Sequence, residues 1–351
     1  MPDRIYLDHA ATTPLRPEAR AAMEEGFRLW ANPSSPHAEG RRARAALEDA
    51  RERVKTALGW DGEVIFTSGA SEAASLAQGH AAAPVTYMSS VEHDALMSDM
   101  VDFTFPVGKD GAVDAQLLST SLTEHRTLVA VQHINSETGN RQGLARIGQT
   151  IHDNGALLLT DCAQSAGKFA VPPSDMAIVS AHKFGGPIGV GALLVKDYAL
   201  LHPSGGQERG YRRGTENLPG ALGMVAALEA CGSPYIDPGV LEPLDRLASE
   251  CRAVGGTWLS DDLSDPTPYI RALAMPNMSA TAQVMRFDMA GIAVSQGSAC
   301  SSGTMKTSRV LEAMQVEPEV ATNTIRVSFG WNTTRAEVER FCEVWLDLAK
   351  A

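Results

Sequence analysis

Several things are scarce in this chain of 351 residues, and each scarcity removes a class of protein. No apolar run approaches the roughly 18 uninterrupted residues that a membrane-spanning helix needs. Residues 1–14 carry Asp3, Arg4 and Asp8 where a secretory signal would need an apolar stretch, so no membrane association is expected. There is no basic tract either: 42 acidic against 30 basic side chains give a formal charge of −12, the wrong sign for a surface that neutralises nucleic-acid phosphates. Cysteine is sparse and scattered. Cys162, Cys231, Cys251, Cys300 and Cys342 include no CxxC pair, and the nearest two, Cys231 and Cys251, are 20 residues apart. That spacing argues against a dense disulfide framework and against a zinc or iron–sulfur ligand set, so no metal site is expected. The expectation is a cytoplasmic chain whose thiols are mostly inert fillers, with an occasional nucleophile among them. No internal repeat and no low-complexity segment is visible.

What is present is a chain long enough for two domains at roughly 100–200 residues each, with 44% hydrophobic residues to fill their cores. Through the first two thirds, short apolar and often β-branched runs at 63–67, 85–88, 127–133, 156–160, 176–180 and 191–195 alternate with helical spacing. In the helix predicted over 144–154, for example, Leu144, Ile147 and Ile151 recur three and four residues apart. Such alternation predicts an α/β fold with a mainly parallel sheet flanked by helices, which binds ligands at the carboxyl ends of its strands. A helix over 221–231 and a linker over 232–239 close this unit. A smaller α/β unit follows, with helices over 241–254 and 334–350 and strands over 270–274 and 324–329. Thr334 and Glu337 form a capping box at the start of the last helix.

The stretch 160–190 is the richest in chemistry. Asp161-Cys162-Ala163-Gln164 ends one strand and Ser180-Ala181-His182-Lys183 ends another. A carboxylate and a lysine at strand ends suit pyridoxal phosphate: the amine condenses with the cofactor aldehyde, while the acid pairs with the pyridine nitrogen. On spacing alone, a capped strand end and a surface lysine fit equally well. The turn Ser68-Gly69-Ala70-Ser71-Glu72, leading from a strand into an Ala-rich helix, offers backbone amides and a helix N-terminus to a phosphate, although an ordinary N-cap reads the same way. Ser180 and His182 are further donors. Glu92-His93 places an imidazole after another strand.

Together with Asp8-His9-Ala10-Ala11-Thr12-Thr13-Pro14, Asn32-Pro33-Ser34-Ser35-Pro36-His37, Ser136-Glu137-Thr138-Gly139, Gly205-Gly206-Gln207-Glu208-Arg209, Arg213-Gly214-Thr215-Glu216-Asn217 and Gly297-Ser298-Ala299-Cys300-Ser301-Ser302, these motifs are similar, in order, to those of the NifS/IscS-type cysteine desulfurases. Those enzymes form a branch of the class V aminotransferases. The resemblance implies a large cofactor domain with a seven-stranded-type sheet over 16–234, and a small domain built from 1–15 and 235–351. It implies Lys183 as the residue bonded to pyridoxal 5'-phosphate, His93 against the ring as a proton-transfer group, Asp161 at the pyridine nitrogen and Gln164 at the ring hydroxyl. Ala70, Ser71, Ser180 and His182 would cradle the phosphate, and Thr215 would reach the phosphate of a neighbouring subunit, which implies a homodimer.

Arg326, in Ile325-Arg326-Val327, matches the arginine that grips the substrate carboxylate, a task suited to a planar guanidinium. Asn135 is assigned to the substrate, and Ser136 stands where a second asparagine usually touches the cofactor. Cys300 matches the catalytic thiol. Its small polar neighbours over 297–305 predict a flexible, exposed segment. Cys231, Cys251 and Cys342 sit in helical patterns as fillers, and Cys162 beside Asp161 is expected to face the sheet. The implied reaction takes L-cysteine to L-alanine and leaves a persulfide on Cys300 for a protein acceptor such as an iron–sulfur scaffold.

Ser136, Ala74, Ser75 and His9 stand where the family carries asparagine, and the stretch from 75 to 92 is compressed. Two alternatives stay open on the residues. One is another lyase or aminotransferase of this fold acting on a different amino acid such as selenocysteine. The other is a non-catalytic paralogue.

Overall fold

The structure is a computed structural model that describes residues 4–122, 126–297 and 308–350. In chain order its strands are β1 (Ile5–Tyr6), β2 (Glu63–Thr67), β3 (Val85–Ser89), β4 (Phe103–Phe105), β5 (Thr127–Gln132), β6 (Leu157–Asp161), β7 (Met176–Ser180), β8 (Gly191–Val195), β9 (Thr257–Trp258), β10 (Ile270–Ala274), β11 (Ile292–Ala293) and β12 (Thr324–Ser328). Seven of them form one sheet in the order β2-β8-β7-β6-β5-β3-β4. Only β8 runs against the rest. This is the mainly parallel sheet the alternation predicts.

Both faces of that sheet are covered, which is why its strands read as apolar runs rather than as alternating ones. Within β7, Ala177 and Val179 join a core with the helices Ala38–Leu58 and Leu218–Glu229, while Met176 and Ile178 join the opposite core with helix Ala70–His80. Within β5, Leu128 and Ala130 face one side and Val129 and Val131 the other, the latter against Ile147 and Ile151 of helix Leu144–Asp153. That helix stops just before Gly155, whose φ of +70° is left-handed and costs glycine nothing. Ala74, one of the departures from the family pattern, is buried in the core against the sheet.

The second unit is an antiparallel sheet β12-β10-β9 with the parallel pair β1-β11 beside it. Helices Pro243–Ala253 and Arg335–Lys350 pack on it through Leu244, Leu247, Phe341 and Trp345. The capping box forms as expected: Glu337 Oε2 accepts from the Thr334 amide at 2.7 Å, and Thr334 Oγ1 accepts from the Glu337 amide at 3.4 Å. Three details differ from the sequence pattern. Pro243 splits the helix expected over 241–254 into Pro238–Leu241 and Pro243–Ala253. The expected linker over 232–239 buries Tyr235 and Ile236 in the second core. The helix expected over 221–231 begins earlier, at Leu218, because the Asn217 side chain caps the Gly220 amide. Among the described residues, no helix is long and apolar enough to cross a membrane.

Candidate active site

Strand register brings the predicted residues to one edge. Thr67 of β2 and Ser180 of β7 both pair with Gly191, the first residue of β8. The turn that follows Thr67 and the segment that follows Ser180 therefore leave the sheet two strand spacings apart, about 10 Å. Gly191 must be glycine here, since a Cβ on it would come within 2.8 Å of Gly69 Cα. Asp161 ends β6, next in the sheet to β7, and Glu92-His93 follows β3 two strands further on.

The phosphate-type turn has an open helix end. Gly69 is the N-cap of helix Ala70–His80, with φ of +148° and no side-chain cap. A Cβ there would meet nothing within 4 Å. The first-turn amides of Ala70 and Ser71 thus lie at the positive end of the helix dipole with no side chain capping them. Glu72 is turned away: it accepts from the Ser68 amide and pairs with Arg212 at 2.9 Å.

Lys183 lies in the short turn Ala181–Lys183 directly after β7. Its Nζ donates to the carbonyls of Ala10 at 2.6 Å and Ala11 at 2.8 Å. The same N-terminal segment receives Gln164 Nε2 at the Ala10 carbonyl at 2.8 Å and meets His182 Nδ1 through Thr12 Oγ1 at 3.1 Å. Burial, then the charges of Lys183 and Lys168, push the His182 pKa down to about 4, so its imidazole is neutral at pH 7. A neutral ring can still donate one N–H to an anion. His9 of this segment is buried and also held down at about 4, mainly by burial. It packs on Gly330, where any Cβ would collide with its ring.

Asp161 is buried, with Oδ1 accepting from the Ala163 amide at 2.8 Å. Burial raises its pKa, while the Ala163 amide and the charges of His93 and Lys183 oppose the rise. Those charges register the convergence of the three residues. His93 Nδ1 accepts from the Ala95 amide at 3.1 Å and so caps the turn Asp94–Leu96.

On the other side stands Arg326 of β12. Its Nη2 donates to Asp8 Oδ1 at 2.7 Å and its Nη1 to the Ser136 carbonyl at 2.9 Å, while Nε is buried with no partner among the described residues. Ser136 thus meets the arginine through its backbone. The Asn135 side chain is used by the protein itself: Oδ1 accepts from the amides of Glu137 and Thr138 in its own turn, and Nδ2 donates to the Val91 carbonyl beyond β3 at 3.2 Å. Thr215 is exposed, on a loop beyond Gly214. Cys300, with the rest of 298–307, lies outside the described residues. The other four thiols are free; burial pushes Cys162 and Cys342 up to about 12 and Cys251 to about 11, and raises Cys231. None of these four is a thiolate at neutral pH.

Sequence reasoning passed over Lys168 and Asp8. Burial and the charge of Lys183 bring Lys168 down to about 7, and its Nζ sits 5.5 Å over the Tyr235 ring. The only sequence signal was its place four residues beyond the Asp161–Gln164 motif. Asp8 was visible only as part of a motif, and its pairing with Arg326 spans 318 residues.

Comparison with known proteins accords with this geometry. A sequence profile of the family Aminotransferase class-V matches residues 5–341. A cysteine desulfurase of Cereibacter sphaeroides is 37% identical over 97% of this chain and 95% of its own length. The cysteine desulfurase IscS of Dictyoglomus turgidum is 33% identical over 98% and 94%. Among solved structures, the NifS-like protein from Rickettsia africae matches with a TM-score of 0.88 at 27% identity, covering 99% of this chain and all of that one. A structure described as SspA in complex with cysteine matches with a TM-score of 0.78 at 28% identity, covering 93% of this chain and 99% of that one.

Proposed function

We propose, from the premise that this chain belongs to the class V aminotransferase family, that it is a cysteine desulfurase. The observation that carries the reading is that Lys183 and Asp161 leave one edge of the large sheet while the segment 8–11 links Lys183 to Arg326 of β12, in a chain similar to cysteine desulfurases over nearly all of its length. A relative bound to cysteine supports the substrate. We read residues 16–234 as the large domain, and 1–15 with 235–351 as the small one.

The donor set fits pyridoxal 5'-phosphate. Asp161 offers a buried carboxylate at the end of β6, Gln164 Oε1 is buried with no partner among the described residues, and the helix that begins at Ala70 and Ser71 has no side-chain cap. Lys183 would hold the aldehyde carbon, Asp161 the ring nitrogen, Gln164 the ring hydroxyl, and His93 would lie against the ring. Ser180, His182 and Ser136 would complete the phosphate and ring contacts, with Thr215 supplied by a second copy of the chain in a homodimer. When bound, the cofactor supplies an electron sink that loosens bonds to the substrate's α and β carbons.

The chain's own groups do the rest. Arg326 holds the substrate carboxylate in two parallel charge-assisted hydrogen bonds, exchanging its contact with Asp8 for one with the ligand. Lys183 or His93 carries the proton removed from the α carbon. The Cys300 thiolate attacks the substrate sulfur; an S–S bond forms as the Cβ–S bond breaks. The carbon keeps the electron pair, takes up a proton and leaves as L-alanine, and Cys300 is left as a persulfide. The net conversion is L-cysteine plus thiol to L-alanine plus persulfide. A cytoplasmic setting and a protein acceptor, such as an iron–sulfur scaffold, follow from this reading.

The test incubates the pure protein with L-cysteine and measures alanine together with Cys300 persulfide. Cys300→Ala is expected to abolish sulfide release and leave the visible absorbance of bound cofactor intact. Release at the full rate in that variant overturns the persulfide chemistry, and a colourless protein that takes up no pyridoxal phosphate overturns the cofactor assignment.

A further inference from the structure

The loop that delivers His93 to the site is held largely by side chains from outside it. It leaves β3 after Ser89 and runs into the turn Asp94–Leu96. Three consecutive carbonyls precede the imidazole, those of Ser90, Val91 and Glu92, and each is taken up by a distant side chain. Val91 accepts from Gln132 Nε2 at 2.6 Å and from Asn135 Nδ2 at 3.2 Å. Ser90 and Glu92 accept from the two terminal nitrogens of one guanidinium, Nη1 and Nη2 of Arg309. The Glu92 carbonyl belongs to the peptide that joins Glu92 to His93, and on the far side Asp94 Oδ1 lies 3.4 Å from the same Nη2. Arg309 therefore spans the residue that carries the imidazole.

The grip is braced from behind. Arg309 opens the short helix Arg309–Ala313, whose start is capped by Ser308 Oγ accepting from the Leu311 amide at 3.1 Å. That helix lies between the two units: Val310 and Met314 share a core with Val91 of the His93 loop, while Leu311 packs with Leu259 and with Ala272 of β10. The contact with Asp94 joins two partly exposed side chains and adds little. The bonds to the carbonyls come from a charged donor, the stronger kind, and a planar fork fixes direction as well as distance. What they hold still is the backbone beside an imidazole whose own Nδ1 accepts from the Ala95 amide at 3.1 Å, which leaves the N–H of the neutral ring on Nε2.

We infer that Arg309 is a positioning residue for His93: by holding the carbonyls on either side of Val91 it sets where the imidazole stands in the site. This rests on the reading of His93 as the proton-transfer group against the cofactor ring. A small misplacement of such a group costs rate rather than affinity. Because Arg309 acts through His93, its loss matters only while His93 is present, and residues that act through one group are not additive.

The experiment makes Arg309→Met and His93→Ala, singly and together, in the full chain loaded with pyridoxal phosphate. Two quantities are read: the visible circular dichroism of the bound cofactor without substrate, and the rate of alanine formation from saturating L-cysteine. Arg309→Met is expected to slow alanine formation about tenfold, to keep the half-saturating cysteine concentration within about twofold, and to shift the dichroism in the same direction as His93→Ala. Added to His93→Ala, it should slow the reaction by less than about twofold more and leave the dichroism where His93→Ala put it. Arg309→Lys keeps the charge and a donor and should recover part of the rate; it carries the same cycle if Arg309→Met does not fold. Equal slowing with and without His93 overturns the proposal, since Arg309 would then brace the fold in general, as does an unchanged rate and dichroism in the Arg309 variants. The two levels separate at His93→Ala: a loaded variant with both quantities unchanged removes the reading of His93 itself, whereas a clear loss there with an additive Arg309 effect removes only this inference.

Discussion

Glu92 is a carboxyl whose protonation the fold dictates, and the consequence can be measured. Its side chain is fully buried between β3 and β5. Oε1 accepts from Ser89 Oγ and from the Gln132 amide at 2.9 Å, while Oε2 is buried with no partner among the described residues. Burial, reinforced by the nearby charge of Asp161, pushes its pKa from 4.5 up to about 8 against the opposing pull of Ser89, Gln132 and Arg309. The group is then protonated in the folded chain at neutral pH and ionised in the unfolded one. The folded state binds the extra proton, so the contribution to stability is complete below 4.5 and is lost as pH rises towards about 8. Within that window each pH unit removes about 1.4 kcal/mol. Between about pH 5.5 and about pH 7.5 this one group therefore removes about 2.7 kcal/mol. Glu92→Gln keeps the shape and the acceptor oxygen and has nothing to titrate. Urea unfolding of the two proteins at stepped pH, compared pairwise so that all other titrations cancel, should give the variant a slope shallower by about 1.4 kcal/mol per pH unit. Parallel slopes would mean that Glu92 is ionised in the fold, and the burial argument would be wrong.

Two further predictions come from charged contacts. Arg326→Lys exchanges a planar fork for a point charge, so kcat/KM for cysteine should fall about tenfold to a hundredfold, with cofactor absorbance unchanged; an unaltered value would remove Arg326 from the substrate carboxylate. Arg51 and Glu208 form a buried pair at 2.7 Å that also holds the Phe66 amide. Arg51→Met strands the Glu208 carboxylate and should cost about 3–5 kcal/mol in denaturant unfolding, most of it restored by adding Glu208→Leu; equal loss in the single and double variants would refute the stranded-charge account.

The large sheet was legible because its strands are buried on both faces, so apolar runs such as 176–180 and 191–195 coincide with β7 and β8. The three-residue edge strand β4 was not, since Phe103-Thr104-Phe105 is too short to show a period. Motif residues at strand ends, Asp161 and Lys183 above all, could be read because strand topology alone sends them to one edge. The contacts that orient the site could not. Arg309 meets Glu92 across 217 residues and Arg51 meets Glu208 across 157, and no local pattern encodes a partner at that distance. The positions that depart from the family pattern have different fates: Ala74 packs into the core, His9 is buried beside Gly330, and Ser136 acts through its carbonyl.

The N-terminal segment 8–13 shows why the site needs both units. Tyr6 lies in β1, paired with β11, and Asp8 bridges to Ser328 of β12, so the segment enters from the smaller unit. Within six residues it then offers Asp8 to Arg326, the Ala10 carbonyl to both Lys183 and Gln164, the Ala11 carbonyl to Lys183, Thr12 to His182, and the Thr13 amide to the His182 carbonyl. The segment turns over 9–11, where the amides of Ala11 and Thr12 close onto the Asp8 carbonyl, and the carbonyls of Ala10 and Ala11 are left to accept from outside it. That makes it suited to connect an arginine rooted in one unit to a lysine rooted in the other. Its polar groups substitute for solvent around both side chains. Arg326 and Lys183 are thus set relative to each other by six residues, whose register is fixed by strand pairing on one side and by hydrogen bonds to the Ala181–Lys183 turn on the other.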